Sequence, residues 1–429
     1  MEGLQMDRLN SREKKIFLTV FLVLGLFIQW YGVNANSRFD LTRSLVEQQD
    51  FDITEYRNNT GDRSLYQGDY YSDKAPGLSL LAAPIYGGWR LTYALAGNTS
   101  IDEQPRKKLF SVGDVDITVA ESPGAFYYSS LILIVLFTST LSVAALSVLI
   151  YRLSGSIMEN EERRLIVTFA FAFGTLVTHY GTGFLPAAPA ALFGFLPFYL
   201  IYRWDSHPGQ RKMLMAGALG GFAVVLKSTT MVMLVANALY AYLKYRKLPL
   251  YFTLGGFIGG LPYMIYNTVN FGAPWRLPRN FLDPAMWPHL QQSSGFRLDP
   301  VRELFVSLRM LFMPYRGIFY WFPFLLLSLL GLKRFYRSDR DAAVVTAAVV
   351  VGSVLLASSW WAWWHGGWFG ARLLVPVTPF LMLPVFYAAD RLDWRIVVLL
   401  ATISITINLA GFQGHYEDQL KDLDNSSEM

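Results

Sequence analysis

The chain contains no cysteine. That excludes a disulfide framework, a thiol nucleophile and a thiolate metal site. Charge is scarce as well. Asp, Glu, Lys and Arg make up 16% of the 429 residues, against about 25% in soluble domains. No internal repeat of fixed period is evident and the two halves do not mirror each other, which counts against a transporter built from inverted repeats. What the chain has in abundance is apolar sequence, 53% hydrophobic and 16% aromatic. Long apolar runs recur from end to end, the pattern of a polytopic membrane protein. The net charge of +5 is dispersed among loops rather than gathered on a face, so it is no nucleic-acid signal.

Positive charge sets the expected topology. Basic clusters fall at Arg8–Lys15, Arg152 with Arg163 and Arg164, Arg203 with Arg211 and Lys212, Lys244–Lys247, Lys333–Arg340, and Arg391 with Arg395. With these loops cytoplasmic, spans are expected near 16–33, 124–151, 165–181, 184–202, 213–227, 229–243, 249–267, 317–332, 342–359, 373–390 and 395–411. The fold class expected is therefore an all-α polytopic bundle of about eleven transmembrane helices. Residues 1–411 would form a single membrane domain and 412–429 a short outer tail. The first apolar run is longer than a signal-peptide core and lacks a clean cleavage site, so it reads as an uncleaved helix with a cytoplasmic N-terminus. Segment 213–243 is ambiguous. One long helix would place Lys333–Arg340 outside, against the positive-inside rule, so a hairpin turning at Lys227–Thr230 is preferred. Segment 76–97, broken by Pro84, Gly87, Gly88 and Arg90, reads as an interfacial helix.

The outer face then carries residues 34–123, 268–303, the aromatic strip 360–372 and the tail. The first of these is far longer than an ordinary connector, since structureless loops seldom exceed about 12–15 residues unless functional. It opens with Asn36-Ser37-Arg38-Phe39-Asp40-Leu41-Thr42-Arg43 and closes with Tyr71-Ser72-Asp73-Lys74-Ala75-Pro76-Gly77. Asp40 is a candidate general base whose pKa a low dielectric would raise, or else a helix cap. Lys74 is placed to meet a lipid-borne phosphate, or else snorkels to headgroups. The Pro76-Gly77 pair would let a ligand approach the backbone. Lys227 interrupts an apolar run, where a lysine is costly and reads as a phosphate contact in a cavity, or else ends a short helix and snorkels out. Arg372 follows Trp360-Trp361-Ala362-Trp363-Trp364-His365-Gly366-Gly367-Trp368-Phe369-Gly370-Ala371. Trp364 and Trp368 could stack on a sugar ring, His365 could contact it, and Arg372 offers a fork for phosphate. Asp73, Tyr71 and Asn267 are weaker candidates for sugar or acceptor contacts.

These residues together resemble the GT-C glycosyltransferases, in particular the bacterial protein-mannosyltransferase-like and aminoarabinose-transferase-like group (glycosyltransferase family 39-like). The resemblance rests on Asp40-x-x-Arg43 at the loop start and on Asp73-Lys74-Ala75-Pro76-Gly77 at its end. The segment ending in Lys227 and the Gly-rich strip ending in Arg372-Leu373-Leu374-Val375-Pro376 add to it. Ala75 stands where that group has a proline. The resemblance implies a GT-C-like bundle with a large first extracytoplasmic loop carrying juxtamembrane helices. It also implies a polyprenyl-phosphate sugar donor, transfer with inversion to an extracytoplasmic glycan, lipid or protein, and a bacterial inner-membrane location. By the same resemblance Asp40 would be the catalytic carboxylate, and Lys74, Arg372, Lys227 and Arg43 would bind the donor phosphate. Some relatives use a divalent metal and others do not. A polytopic transporter or lipid flippase is the rival reading, because buried charges and broken helices suit it equally.

Overall fold

The computed structural model describes residues 9–29, 32–97, 106–112, 115–120, 124–204, 208–246, 248–287, 296, 299–364 and 369–425. Helix α1 (Ser11–Gly25) starts at a capping box, with Asn10 and Glu13 each bonding the other's backbone N–H. It ends earlier than the apolar run suggests. Gln29 instead donates its backbone N–H to Thr182 O at 2.7 Å. The chain then enters α2 (Val33–Glu47), a polar helix that holds the start of the first outer loop.

That loop is not all helical, which corrects the all-α expectation. A 3₁₀ turn at Thr54–Asn59 leads to strands β1 (Arg63–Tyr66) and β2 (Asp69–Ser72), paired antiparallel. Gln67 and Gly68 both have positive φ, 57° and 103°, the conformation a two-residue hairpin turn demands. Helix α3 (Gly77–Leu95) follows, and then strands β3 (Arg106–Val112) and β4 (Val115–Ala120) form a second hairpin. Phe39 of α2 packs edge-on against Tyr86 of α3, ring centroids 5.6 Å apart.

The membrane bundle comprises α4 (Ala125–Val135), continuous through a π-helical turn with α5 (Leu141–Ser154), α6 (Glu161–Phe173), α7 (Val177–Gly181) and α8 (Ala187–Arg203). Next come α9 (Gln210–Leu226), α10 (Met231–Tyr245) and α11 (Pro249–Phe271). After α12 (Pro300–Phe312) and the single turn α13 (Ile318–Trp321) stand α14 (Leu327–Ser338), α15 (Arg340–Ser359), α16 (Thr378–Ala389) and α17 (Trp394–Asn425). Phe195 and Phe198 of α8 pack on Phe380 of α16 at 5.0 and 5.3 Å within the largest core.

Among the described residues, four segments are long and apolar enough by themselves to cross a bilayer: Ala125–Ser154, Arg340–Ser359, Arg372–Ala389 and Trp394–Phe412. Several other expected spans are shorter or broken. The span expected at 165–181 breaks at Gly174, and Asn408 of α17 donates to Phe173 O and Thr175 O at 2.7 and 2.9 Å. An intramembrane break survives where a neighbouring side chain satisfies the freed carbonyls. The span expected at 317–332 breaks at Pro323, and Phe324 N–H bonds Ser404 Oγ at 2.9 Å.

Segment 213–243 does reverse. Lys227 is extended (φ −154°, ψ 110°) between α9 and α10. Gly220 and Leu234 lie equally far from it on either side, and a Cβ on Gly220 would meet Leu234 Cδ1 at 3.0 Å. In a continuous helix those two residues would stand about 20 Å apart at 1.5 Å per residue. Helix α9 also packs on α11 at backbone distance. A Cβ on Gly217 or Gly221 would overlap the carbonyls of Phe252 or Gly256, and one on Gly255 or Gly259 would overlap those of Leu214 or Ala218.

Two helices depart from the sequence expectation. Helix α12 starts at the end of the segment 268–303 and runs on past it, burying Val306 and Met310 and exposing Val301, Leu304 and Phe305. Helix α17 continues past the expected end at 411.

Candidate active site

Helix α2 presents two polar faces, because residues three and four apart share a side. One face holds Asn34, Ser37 and Arg38. Ser37 Oγ donates to Asp62 O at 2.6 Å, and Asn34 Nδ2 donates to Asp62 Oδ2 at 3.1 Å. Arg38 donates to Asn34 O at 2.8 Å. The other face holds Asn36, Asp40, Arg43 and Glu47. Asp40 accepts from Asn59 Nδ2 at 3.0 Å and is only 1% exposed. Arg43 Nε is 3.4 Å from Glu47 Oε1, its guanidinium lies 4.1 Å over the Tyr56 ring, and it feels the charge of Asp40.

The first face looks onto a cluster of charges. Lys74 Nζ lies 2.9 Å from Asp62 Oδ2 and 2.8 Å from Asp73 Oδ2. Arg372, at the start of a 3₁₀ turn (Arg372–Val377), is within electrostatic reach of Asp62, Asp73, Arg38, Arg316 and Lys227. Lys227 donates to the Arg372 carbonyl at 3.2 Å. Lys74, Asp73, Arg372 and Lys227 are thus brought together, and Asp62, Arg38 and Arg316 join them.

The backbone explains how. A Cβ at Gly77 would stand 2.6 Å from the backbone of Val225 and Leu226. The close approach this glycine permits is therefore that of α9 rather than of a ligand, and it brings the end of the first loop to the Lys227 break. Gly370 has φ +67° and Arg316 φ +77°, and such strain in a non-glycine residue concentrates at functional sites.

Residues of this loop carry shifted pKa values. Burial, then repulsion from Arg372, bring Arg38 down to about 10. Burial alone would raise Asp62, but the charge and hydrogen bond of Lys74, with Asn34 and Arg372, hold it below the usual carboxylate range. Asp73 is raised, by burial and by the charge of Asp62, against the pull of Lys74. Lys74 pulls both carboxyls down, and the hydrogen bond from Asn34 adds to that pull at Asp62.

The second outer segment clamps this arrangement. Arg63 Nε pairs with Asp283 Oδ2 at 2.7 Å, both 2% exposed. Trp287 Nε1 donates to Gly61 O at 3.0 Å and Ser64 Oγ to Pro278 O at 2.7 Å. Asp62 therefore sits between two residues that are anchored from outside the loop.

The remaining candidates lie in apolar layers. Tyr71 packs on Phe271 at 5.3 Å, and burial, with the charge of Asp69, raises it to about 12. Asn267 is buried and donates to Pro274 O at 3.0 Å. Trp364 stacks edge-on with Trp361 and Trp363 at 5.7 and 6.1 Å. His365 and Trp368 lie outside the described residues. Among the described residues no three His, Asp or Glu side chains gather to hold a metal ion.

No protein-family model matches the chain, and no curated protein matches it. Among solved structures, that of ArnT from Cupriavidus metallidurans bound to undecaprenyl phosphate is similar, with a TM-score of 0.50 at 13% identity. The match covers 90% of this chain and 62% of ArnT. The chain thus has the GT-C-like fold of a polytopic membrane protein and spans about three fifths of the length of that relative.

Proposed function

We propose that the chain is a membrane glycosyltransferase. It moves a sugar, with inversion, from a polyprenyl-phosphate-linked donor to a hydroxyl of an extracytoplasmic glycan, lipid or protein. The observation that carries this reading is the convergence of Arg38, Lys74, Lys227 and Arg372 beneath the first outer loop. Buried cations are expensive, and within a membrane protein they mark the path of a substrate. A phosphate ester suits them because a guanidinium fork recognises phosphate oxygens directly. The GT-C-like fold, and a relative solved with undecaprenyl phosphate, support a lipid-linked ligand. The N-terminus is cytoplasmic in this reading and the site faces outside, on a bacterial inner membrane.

Phosphate departs from the anomeric carbon as a fair leaving group. The harder proton belongs to the acceptor hydroxyl, which needs a general base on the opposite side of the sugar. A carboxylate of the first outer loop supplies it, Asp40 in the reading from sequence.

The test is equilibrium binding of polyprenyl monophosphate to the purified protein. Arg372→Ala and Lys227→Ala should each weaken it by about tenfold or more, since a lost charge-assisted bond is worth about 1.5–3 kcal/mol. Unchanged affinity in both folded variants would contradict a phosphate site here. Binding followed by translocation across a liposome without transfer would favour the flippase reading.

A further inference from the structure

We propose that Asp62, rather than Asp40, is the carboxylate that meets the acceptor hydroxyl. The inference rests on the glycosyl-transfer reading above and assigns its base. Asp40 is 1% exposed and bonded to Asn59, on the α2 face that carries Arg43 and Glu47. In the free protein its carboxylate is covered by its neighbours. The Asp62 side chain is 15% exposed and shares Lys74, Arg38 and Arg372 as electrostatic neighbours with Asp73. Its ion pair with Lys74 is that of the free protein, and the ammonium must swing away with the phosphate to leave the carboxylate on the opposite side of the sugar.

Its geometry is also fixed in advance. The Asp62 backbone N–H donates to Thr60 Oγ1 at 3.0 Å, and its carbonyl accepts from Ser37. Gly61 before it is tied to Trp287, and Arg63 after it to Asp283. This support from outside the loop is what a catalytic residue requires.

Lys74 then gives the site its order of events. In the free protein its ammonium is held by Asp62 and Asp73, and an ion-paired carboxylate is a weak base. A donor phosphate competes for the same ammonium. As Lys74 turns to phosphate, Asp62 loses its strongest partner and becomes more basic, with Arg38, Arg372 and Asp73 remaining around it. The acceptor oxygen then bonds to the anomeric carbon while the bond from that carbon to the phosphate oxygen breaks. The hydroxyl proton passes to Asp62, and the electron pair leaves with polyprenyl phosphate.

Two readouts on the full-length protein test this. In the first, a radiolabelled panel of polyprenyl-phosphate sugars is offered with a cell-envelope extract as acceptor. Asp62→Asn should lower kcat by about 10²–10⁴-fold, as for other acid–base residues, with the affinity for polyprenyl monophosphate kept within about threefold. Asp40→Asn should lose less. A larger loss in Asp40→Asn, or near-normal kcat in Asp62→Asn, would overturn the assignment. The second readout needs neither sugar nor acceptor. A methyl polyprenyl phosphodiester, whose charge does not titrate, is bound near pH 5 in buffers of different ionisation enthalpy. Because Lys74 also holds Asp73, the comparison is made in a protein that carries Asp73→Asn: it should take up a proton on binding, alone or with Asp40→Asn added, and should take up none with Asp62→Asn added. Equal uptake in all three would overturn the inference even where no transfer is found, whereas failure of the wild type to transfer any sugar would count against the glycosyl-transfer reading itself.

Discussion

At the residue scale, the densest constraint is the Arg63–Asp283 pair. It is buried and joins two outer segments that are 220 positions apart in sequence. Removing one partner strands a charge, at a cost of about 3–5 kcal/mol. Asp283→Ala should therefore lower the melting temperature sharply, and a double variant Arg63→Met with Asp283→Leu should recover much of it. Thermal unfolding in detergent measures both, and equal melting of the single variant and wild type would contradict the clamp. Asp62 was not legible in the sequence because nothing at Asn59-Thr60-Gly61-Asp62 has diagnostic spacing. It becomes visible only when the β1–β2 hairpin returns Lys74 to it. Lys227 is legible because a cation amid apolar sequence is anomalous, Lys74 by its place beside the interfacial helix, and Arg372 by the Gly-rich aromatic strip before it. Asp40 drew notice by its place at the loop start, but spacing cannot tell which face of α2 looks at the charges.

At the scale of elements, the α9–α11 contact shows what glycine does for this fold. Gly217, Gly221, Gly255 and Gly259 let two backbones touch, the packing that small residues permit in membranes. Gly217→Leu would force α9 away from α11 and shift the Lys227 break at its end. We expect a lower melting temperature together with weaker polyprenyl monophosphate binding, whereas Gly209→Ala, in open space, should change neither. Loss of stability with binding intact would separate the packing from the site. The reversal at Lys227 could be read from charge, since only a hairpin keeps Lys333–Arg340 on the basic side. The interruptions at Gly174 and Pro323 were hidden. Both depend on partners from α17, Asn408 and Ser404, which no local pattern announces. Helix α12 is not apparent in a plain hydropathy reading because Arg302, Glu303 and Arg309 mask its apolar face.

At the scale of the whole molecule, the account makes a claim about sides. In the proposed reading the basic loops 152–164 and 333–340 face the cytoplasm and the hairpin 63–72 faces outside with the site. The absence of cysteine allows a direct check, because a single introduced cysteine has no background. In intact cells an impermeant maleimide should label Gln67→Cys and spare Arg337→Cys until the membrane is opened. The reverse pattern would contradict the topology. The polytopic class was legible from composition alone, whereas the GT-C-like architecture needed the order of short motifs and then the fold itself. The central claim is that a sugar leaves a polyprenyl phosphate at this site, and single-turnover transfer by the purified protein in liposomes tests it most directly. The account predicts that labelled sugar from one member of a polyprenyl-phosphate-sugar panel appears on an envelope acceptor with stoichiometric release of polyprenyl phosphate, and that Arg372→Ala abolishes it. Tight binding of the whole panel, with no sugar transferred to any acceptor fraction, would contradict it.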